Sequence, residues 1–159
     1  MVQKLVRSLA LVLLLGTISL PASAADPTSR IVDGVAIYLG VVPAEIVRGH
    51  PGEHPESAMH GGAVTGDQHV LIALFDDKNG ARITDAEVYA SVKGPKRFHA
   101  EKKLEPMLVA SAASYGNYFS PYAPGSYRIA LRIRLSGATR DTRATFTWIL
   151  PGSGPAGHL

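Results

Sequence analysis

The chain has 159 residues, with 16 Lys and Arg against 13 Asp and Glu, and a formal net charge of +3. It contains no cysteine, which excludes disulfides, thiolate metal sites and a cysteine nucleophile. Because nucleic-acid binders typically carry a strong basic excess, this nearly balanced charge argues against nucleic acid as a partner.

The first 24 residues have the three parts of a secretory signal peptide. Lys4 and Arg7 open it, an apolar run follows, and Ala22-Ser23-Ala24 offers small residues for cleavage. The apolar run is shorter than the roughly 20 residues that span a bilayer, so the sequence does not favour a membrane-spanning anchor. We expect these residues to be removed and the protein to begin at Ala25 in the periplasm. Loss of the two basic residues leaves 14 basic and 13 acidic residues.

The rest of the chain predicts short β-strands separated by turns, with no helical period of useful length. Alternating or continuous apolar patterns mark strands near residues 31–42, 69–75, 86–92, 97–104, 107–112, 127–135 and 144–150. Asn79-Gly80 is a strong turn signal because it tolerates positive φ. About seven strands at this spacing predict an all-β fold, a single immunoglobulin-like antiparallel β-sandwich over residues 25–150. Residues 151–159, rich in Gly and Pro, are predicted to form a flexible tail.

Two faces of this sandwich can be assigned from the alternation. Tyr127, Ile129, Leu131 and Ile133 alternate with arginines, which predicts an apolar face turned inward and a basic face turned to solvent. Phe146 and Trp148 in the last strand are expected to point inward as well.

One segment does not fit the strand pattern. Residues 49–67 contain two prolines and five glycines in 19 residues, which rules out a helix or a continuous strand. A loop of this length inside a small domain is usually functional.

Four of the six histidines lie in or beside this loop, namely His50, His54, His60 and His69. Imidazole, together with the thioether of Met59 and nearby carboxylates, forms a ligand set typical of copper or iron sites. We therefore predict that His60 and His69 approach each other and that Met59 or Met107 completes a metal site. The sequence does not decide whether His50 and His54 contribute. The alternative is a solvated polar loop, with Met59 filling a gap in the core.

Met107 belongs to a second group of residues, Glu105-Pro-Met107, which is followed by Tyr115-Gly-Asn117. An exposed methionine beside a Tyr-Gly-Asn turn is positioned to deliver a ligand from the opposite side of the sandwich. Taken alone, this group is better explained as core and corner packing.

Four short motifs resemble the small periplasmic proteins that accompany bacterial iron and copper uptake. They are Asp67-x-His69, Glu105-Pro-Met107, Tyr115-Gly-Asn117 and Pro124-Gly-x-Tyr127. The resemblance covers roughly the C-terminal two-thirds of the chain after the signal. It implies an immunoglobulin-like sandwich that binds metal through Met, His and carboxylate, with His69 and Met107 as ligands. In that family a histidine precedes the Tyr-Gly pair, whereas this chain has Ser114, which leaves a different ligand set open.

These observations predict a periplasmic protein that binds copper or iron and captures or delivers it. An inner-membrane metal transporter or a metal-receiving protein would be its partner, and dimerisation through an edge strand stays open. No G-x-S-x-G, H-E-x-x-H or P-loop pattern occurs, so we do not expect an enzyme. The alternative is an interaction module whose Gly/Pro loop and basic strand face dock a membrane or envelope partner.

Overall fold

The computed structural model describes residues 26–44, 46 and 65–152. These residues form eight antiparallel strands, and we number them in chain order. They are β1 (Ser29–Val32), β2 (Val35–Pro43), β3 (Gln68–Asp76), β4 (Ala86–Lys93), β5 (His99–Val109), β6 (Ala112–Phe119), β7 (Gly125–Leu135) and β8 (Thr142–Leu150). The described ranges contain no helix long and apolar enough to cross a membrane. The predicted signal peptide and most of the predicted tail lie outside them.

All eight strands belong to one sheet, in the order β1-β2-β3-β6-β5-β4-β7-β8. β5 is the strand at which the sheet folds over. Its first part, up to Leu104, pairs with β4, and its second part, from Glu105 onward, pairs with β6. The two outermost strands, β1 and β8, contact each other, so the sheet is nearly closed. The prediction of an all-β antiparallel domain is confirmed, but a sandwich of about seven strands matches this barrel-like sheet only roughly.

The predicted strand boundaries are wrong in two places. The single strand expected over residues 31–42 is interrupted by a turn at Asp33-Gly34, where both residues have positive φ. The two strands expected over residues 97–104 and 107–112 are one strand, β5, which continues through Pro106. Proline is accepted in β5 because the strand changes its pairing partner there, close to an edge-like position.

The core lies between the two halves of the folded sheet. Ile37, Ile72, Leu74, Leu104 and Ile133 are fully buried at its centre, and Tyr115, Phe119, Ile129 and Phe146 complete it. The predicted inward faces of the last two strands are confirmed for Tyr127 and for Phe146. Trp148 is only partly buried and packs at the margin of the core.

Tyr127 joins the start of β7 to the neighbouring loop. Its side chain is fully buried, and its hydroxyl donates a hydrogen bond of 2.6 Å to the carbonyl of Ala123. Its ring contacts Phe98 and Trp148, with centroids 5.6 and 5.5 Å away. At Gly94 a Cβ atom would lie 2.2 Å from the same ring, so only glycine fits there. A buried tyrosine bonded to the backbone four residues upstream resembles the tyrosine corner of immunoglobulin-like domains.

The hairpin between β5 and β6 uses unfavourable turn residues. Val109 pairs with Ala112, and the two residues between them, Ala110 and Ser111, have φ of 47° and 67°. Two positive φ values define a type I′ turn, for which Asn-Gly is preferred. Residues with a Cβ other than Asn and Asp are destabilised in this conformation by roughly 1–2 kcal/mol each.

We expect Ala110→Asn with Ser111→Gly to raise the free energy of unfolding by about 1–2 kcal/mol, because the same turn then forms with less strain. Urea unfolding measures the change. The β1–β2 hairpin provides the control, since Asp33-Gly34 already suits its turn and Asp33→Asn should change stability little. A double variant no more stable than the parent protein would contradict the strain that we assign to this hairpin.

Candidate metal centre

His69 lies near the start of β3, on the face that points away from the core. Successive residues of a strand face opposite sides of a sheet. Val70 and Ile72 face the core, so His69 and Leu71 face outward. Nevertheless, His69 is only 2% exposed. The predicted ligand is therefore an outward-facing but buried imidazole.

Gly116 in β6 brings this imidazole and the thioether of Met107 together. It lies directly opposite Leu71 of β3 and Glu105 of β5. A Cβ atom placed on Gly116 would lie 2.6 Å from the Sδ atom of Met107 and 2.7 Å from the Nε2 atom of His69. Both donor atoms thus surround one point, and their separation is at most about twice that distance. The fold thus brings His69 and Met107, two of the four predicted ligands, close to each other, and their binding of a metal stays a prediction.

Tyr118 determines how the His69 ring is oriented. The two residues are direct neighbours across β3 and β6, and their rings stack with centroids 4.4 Å apart and planes 22° from parallel. The carbonyl of Tyr118 accepts a 2.6 Å hydrogen bond from the Nζ atom of Lys102. Its N–H donates a 2.8 Å bond to the side chain of Asn117. Because the Tyr118 backbone is anchored on both sides, the imidazole packs against a well-defined surface.

The environment of Met107 differs from the prediction. The side chain is 5% exposed, not exposed as expected, and lies opposite Ser114 in the β5–β6 ladder. The residues Tyr115-Gly-Asn117 do not form a turn but the middle of β6. They form a strand because the true turn is at Ala110-Ser111, which ends four residues before Tyr115. The thioether is delivered by a central strand rather than by a loop.

Glu105 and Tyr115, which flank Met107 and Gly116 in sequence, also carry side-chain oxygen atoms, and the fold separates their roles. Glu105 lies opposite Gly116 on the same face as Met107, so its side chain leaves the sheet beside that of Met107. Tyr115 faces the core, where its hydroxyl accepts a 3.0 Å hydrogen bond from the N–H of Ala86. Burial raises the pKa of the Tyr115 phenol, which keeps it protonated. Tyr115 is therefore a core residue and not a metal ligand.

The other predicted ligands, Met59 and His60, lie outside the described residues, as do His50 and His54. In the parts of the chain that the structure does cover, no group of three or more His, Asp or Glu side chains is arranged to hold a metal ion. The prediction for Met59 and His60 therefore stays a prediction, and the described centre consists of His69, Met107 and the neighbouring Glu105.

The sequence did not indicate that Gly116 and Tyr118 belong to the centre. A glycine inside a strand signals a close approach by another group. This glycine sits in an aromatic-rich run, but the expected turn at the same place concealed the signal.

The chain is similar to known proteins in structure but not in sequence. No family model matches the sequence, and no curated protein matches it. A copper-bound variant of P19 from Campylobacter jejuni has a TM-score of 0.62 at 13% identity, covering 79% of this chain and 96% of P19. FetP from uropathogenic Escherichia coli has a TM-score of 0.61 at 10% identity, covering 79% and 94%. A DUF4426 family protein from Pseudomonas aeruginosa has a TM-score of 0.59 at 8% identity, covering 77% and 96%.

The chain has the fold of these proteins. At such low identities the likeness establishes the all-β architecture and not the metal ligands.

Proposed function

We propose that the protein is a periplasmic metal-binding protein that captures or delivers copper or iron through His69 and Met107. The observation that carries this proposal is the convergence of an imidazole nitrogen and a thioether sulfur on one point above Gly116. Glycine at that position allows both donor atoms to approach the strand, because a Cβ there would lie less than 3 Å from each of them. Two residues 38 positions apart in the sequence reach it from different strands.

The donor types favour copper over iron. Thioether sulfur is a soft ligand that selects Cu(I), and imidazole binds both copper oxidation states. Burial of both side chains suits a soft ion that gives up its water ligands, and Glu105 adds a carboxylate for the divalent state. The copper-bound state of the P19 variant on the same fold supports this choice.

Several features support a periplasmic location and a carrier role. The N-terminal segment has the pattern of a cleaved signal, and the FetP protein on this fold was recombinantly expressed in the periplasm of Escherichia coli. The sequence holds no thiol that periplasmic oxidation would remove from a metal site. The sequence patterns of common enzymes are also missing, so we propose binding rather than catalysis. An inner-membrane transporter or a metal-receiving protein would take the ion.

The test is metal affinity measured by chelator competition, with Cu(I), Cu(II) and Fe(II) in turn. We expect His69→Gln and Met107→Leu each to weaken copper binding at least tenfold, about 1.4 kcal/mol. Leucine replaces methionine at nearly constant volume, so the fold should tolerate that change. His99→Gln is the matched control, because His99 is exposed and lies on another part of the sheet.

Unchanged affinity in both site variants would show that the metal binds elsewhere. No micromolar affinity in the parent protein, under any redox condition, would show that it is not a metal carrier. His60→Gln and Met59→Leu, measured alongside, test the two predicted ligands outside the described residues. A further loss in either variant would assign that side chain to the site.

A further inference from the structure

Four basic side chains are concentrated at one end of the sheet, where β4 ends and β7 begins. We call this surface the basic platform, and it consists of Lys93, Lys96, Arg97 and Arg128. All four are exposed. Lys93 and Arg128 are direct neighbours across β4 and β7 on the outward face, and His99 of β5 lies opposite Lys93 on the other side.

Like charges directly opposite each other destabilise a sheet. Elsewhere on this face such repulsion is compensated. Arg132, Arg134 and Arg143 all pair with Asp141, and Lys103 pairs with Glu87. Among the described residues no ion pair involves any member of the basic platform. Glu101, in the next row beside Ser91, forms none with them either. The platform therefore carries a repulsion that a bound anionic partner would relieve.

The turn that follows β4 presents two of these charges in a strained conformation. Lys96 and Arg97 have φ of 52° and 63°, a region that non-glycine residues rarely adopt. The turn is nevertheless well supported. The Tyr122 hydroxyl donates a 2.6 Å hydrogen bond to the carbonyl of Lys96, and Pro95 packs closely against Gly125. The backbone that presents Lys96 and Arg97 is thus held in place by its neighbours.

Large apolar side chains are exposed at the same end. Tyr122, bonded to Lys96, is 62% exposed, and Ile149, opposite Ser126 at the start of β7, is 67% exposed. Lysine and arginine beside an exposed aromatic ring and an aliphatic side chain are typical of protein surfaces that rest on the headgroup layer of a bilayer.

The opposite end of the sheet carries charges of both signs. The turns there place five aspartates together at the ends of the strands, namely Asp33, Asp76, Asp77, Asp85 and Asp141. Hydrogen bonds from Asp77 N–H to the carbonyl of Gly34 and from Ser136 N–H to the carbonyl of Asp85 connect these turns. Because Asp141 there pairs with Arg132, Arg134 and Arg143, the described residues of that end form no uncompensated basic cluster like the platform, and a negatively charged surface would orient the domain with the basic platform facing it.

We propose that the basic platform docks the protein on an anionic lipid bilayer, with Tyr122 and Ile149 entering the headgroup layer. Clustered Lys and Arg are attracted to acidic phospholipids within a Debye length of the membrane. Tyr122 and Ile149 would bury apolar surface in a bilayer, whereas an acidic soluble protein could bind the basic residues without them. We therefore assign a lipid surface as the partner. This docking is independent of metal and goes beyond the proposed carrier function.

The test is flotation of the metal-free protein with vesicles. We expect binding to mixed phosphatidylcholine–phosphatidylglycerol vesicles, weakening as salt increases, and little binding to pure phosphatidylcholine vesicles. A platform variant replaces the two sheet residues by glutamine and the two turn residues by asparagine, which accepts positive φ. Its changes are Lys93→Gln, Lys96→Asn, Arg97→Asn and Arg128→Gln. It should lose about tenfold or more of its partition coefficient.

The control variant removes the same charge elsewhere through Lys78→Gln, Lys103→Gln, Arg140→Gln and Arg143→Gln, and should bind as the parent does. Equal losses in both variants would show that net charge, and not the platform, is responsible. Tyr122→Ser with Ile149→Ser should reduce binding several-fold. No effect of that change, or no binding of the parent protein to phosphatidylglycerol vesicles, would overturn the assignment to a lipid surface.

Discussion

Replacing Gly116 by alanine is expected to abolish copper binding while leaving the domain folded. The added Cβ would lie within 2.7 Å of both the Nε2 atom of His69 and the Sδ atom of Met107, and 3.0 Å from a Leu71 methyl group. Both donor atoms must move apart, so the space in which a metal ion would contact them is lost. Overpacking of this kind typically destabilises a protein by about 1–3 kcal/mol, which a domain can survive.

The measurement is chelator competition for copper, together with circular dichroism and urea unfolding of the same sample. Gly40→Ala is the matched control. Gly40 lies in β2 opposite Leu71, and a Cβ there would meet only the Leu71 Cβ at an ordinary 3.6 Å. The control should bind copper as the parent protein does. A Gly116→Ala protein with parental affinity would show that His69 and Met107 do not act together.

The largest loss of stability is expected for Tyr127→Ala, about 3–5 kcal/mol, because a fully buried aromatic ring is removed and leaves a cavity. The ring contacts Phe98 and Trp148 and covers Gly94, so the cavity opens where β4, β7 and β8 meet. Urea unfolding monitored by circular dichroism measures the loss.

Tyr127→Phe separates the hydrogen bond from the packing. It retains the ring but removes the 2.6 Å bond to the carbonyl of Ala123, so the expected loss is about 1 kcal/mol. A loss for Tyr127→Ala that is no larger than this would mean that the ring is not part of the core.

Much of the fold follows from local pattern. β3, β4, β7 and β8 were predicted within one or two residues, because apolar alternation and strong turns such as Asn79-Gly80 determine them locally. β6 was not recognised, because its sequence contains the turn-like residues Gly116 and Asn117. Glycine is required at position 116 because side chains from the two neighbouring strands, Met107 of β5 and His69 of β3, lie where a Cβ would be. This requirement comes from strand pairing and cannot be read from the sequence of β6 alone.

The arrangement of the strands was beyond local pattern. Alternation shows which face of a strand is buried, but not that β5 pairs with β4 along one part and with β6 along the other. A folded single sheet and two separate sheets bury the same residues. The number of sheets therefore depends on how β5 pairs, and the pattern of apolar and polar residues does not show this pairing.

The candidate site was predicted in part. His69 and Met107 were selected by the chemistry of their side chains and by family resemblance, and the fold brings them together. The elements that hold them, Gly116 and the stacked Tyr118, are long-range neighbours in the sheet and have no ligand chemistry of their own. Met59 and His60 stay predictions.

The strand order also has a kinetic consequence. Two of the strand pairs join segments that are distant in sequence. β3 pairs with β6, where Gln68 lies opposite Phe119, and β4 pairs with β7, where Val92 lies opposite Ile129. Each of these strand pairs forms only after the two ends of a long chain segment have met. The chain loses conformational entropy in that step before the new contacts can compensate the loss. Domains dominated by such distant pairings fold in about milliseconds to seconds rather than microseconds. Stopped-flow refolding should therefore be slow, on this scale of milliseconds to seconds.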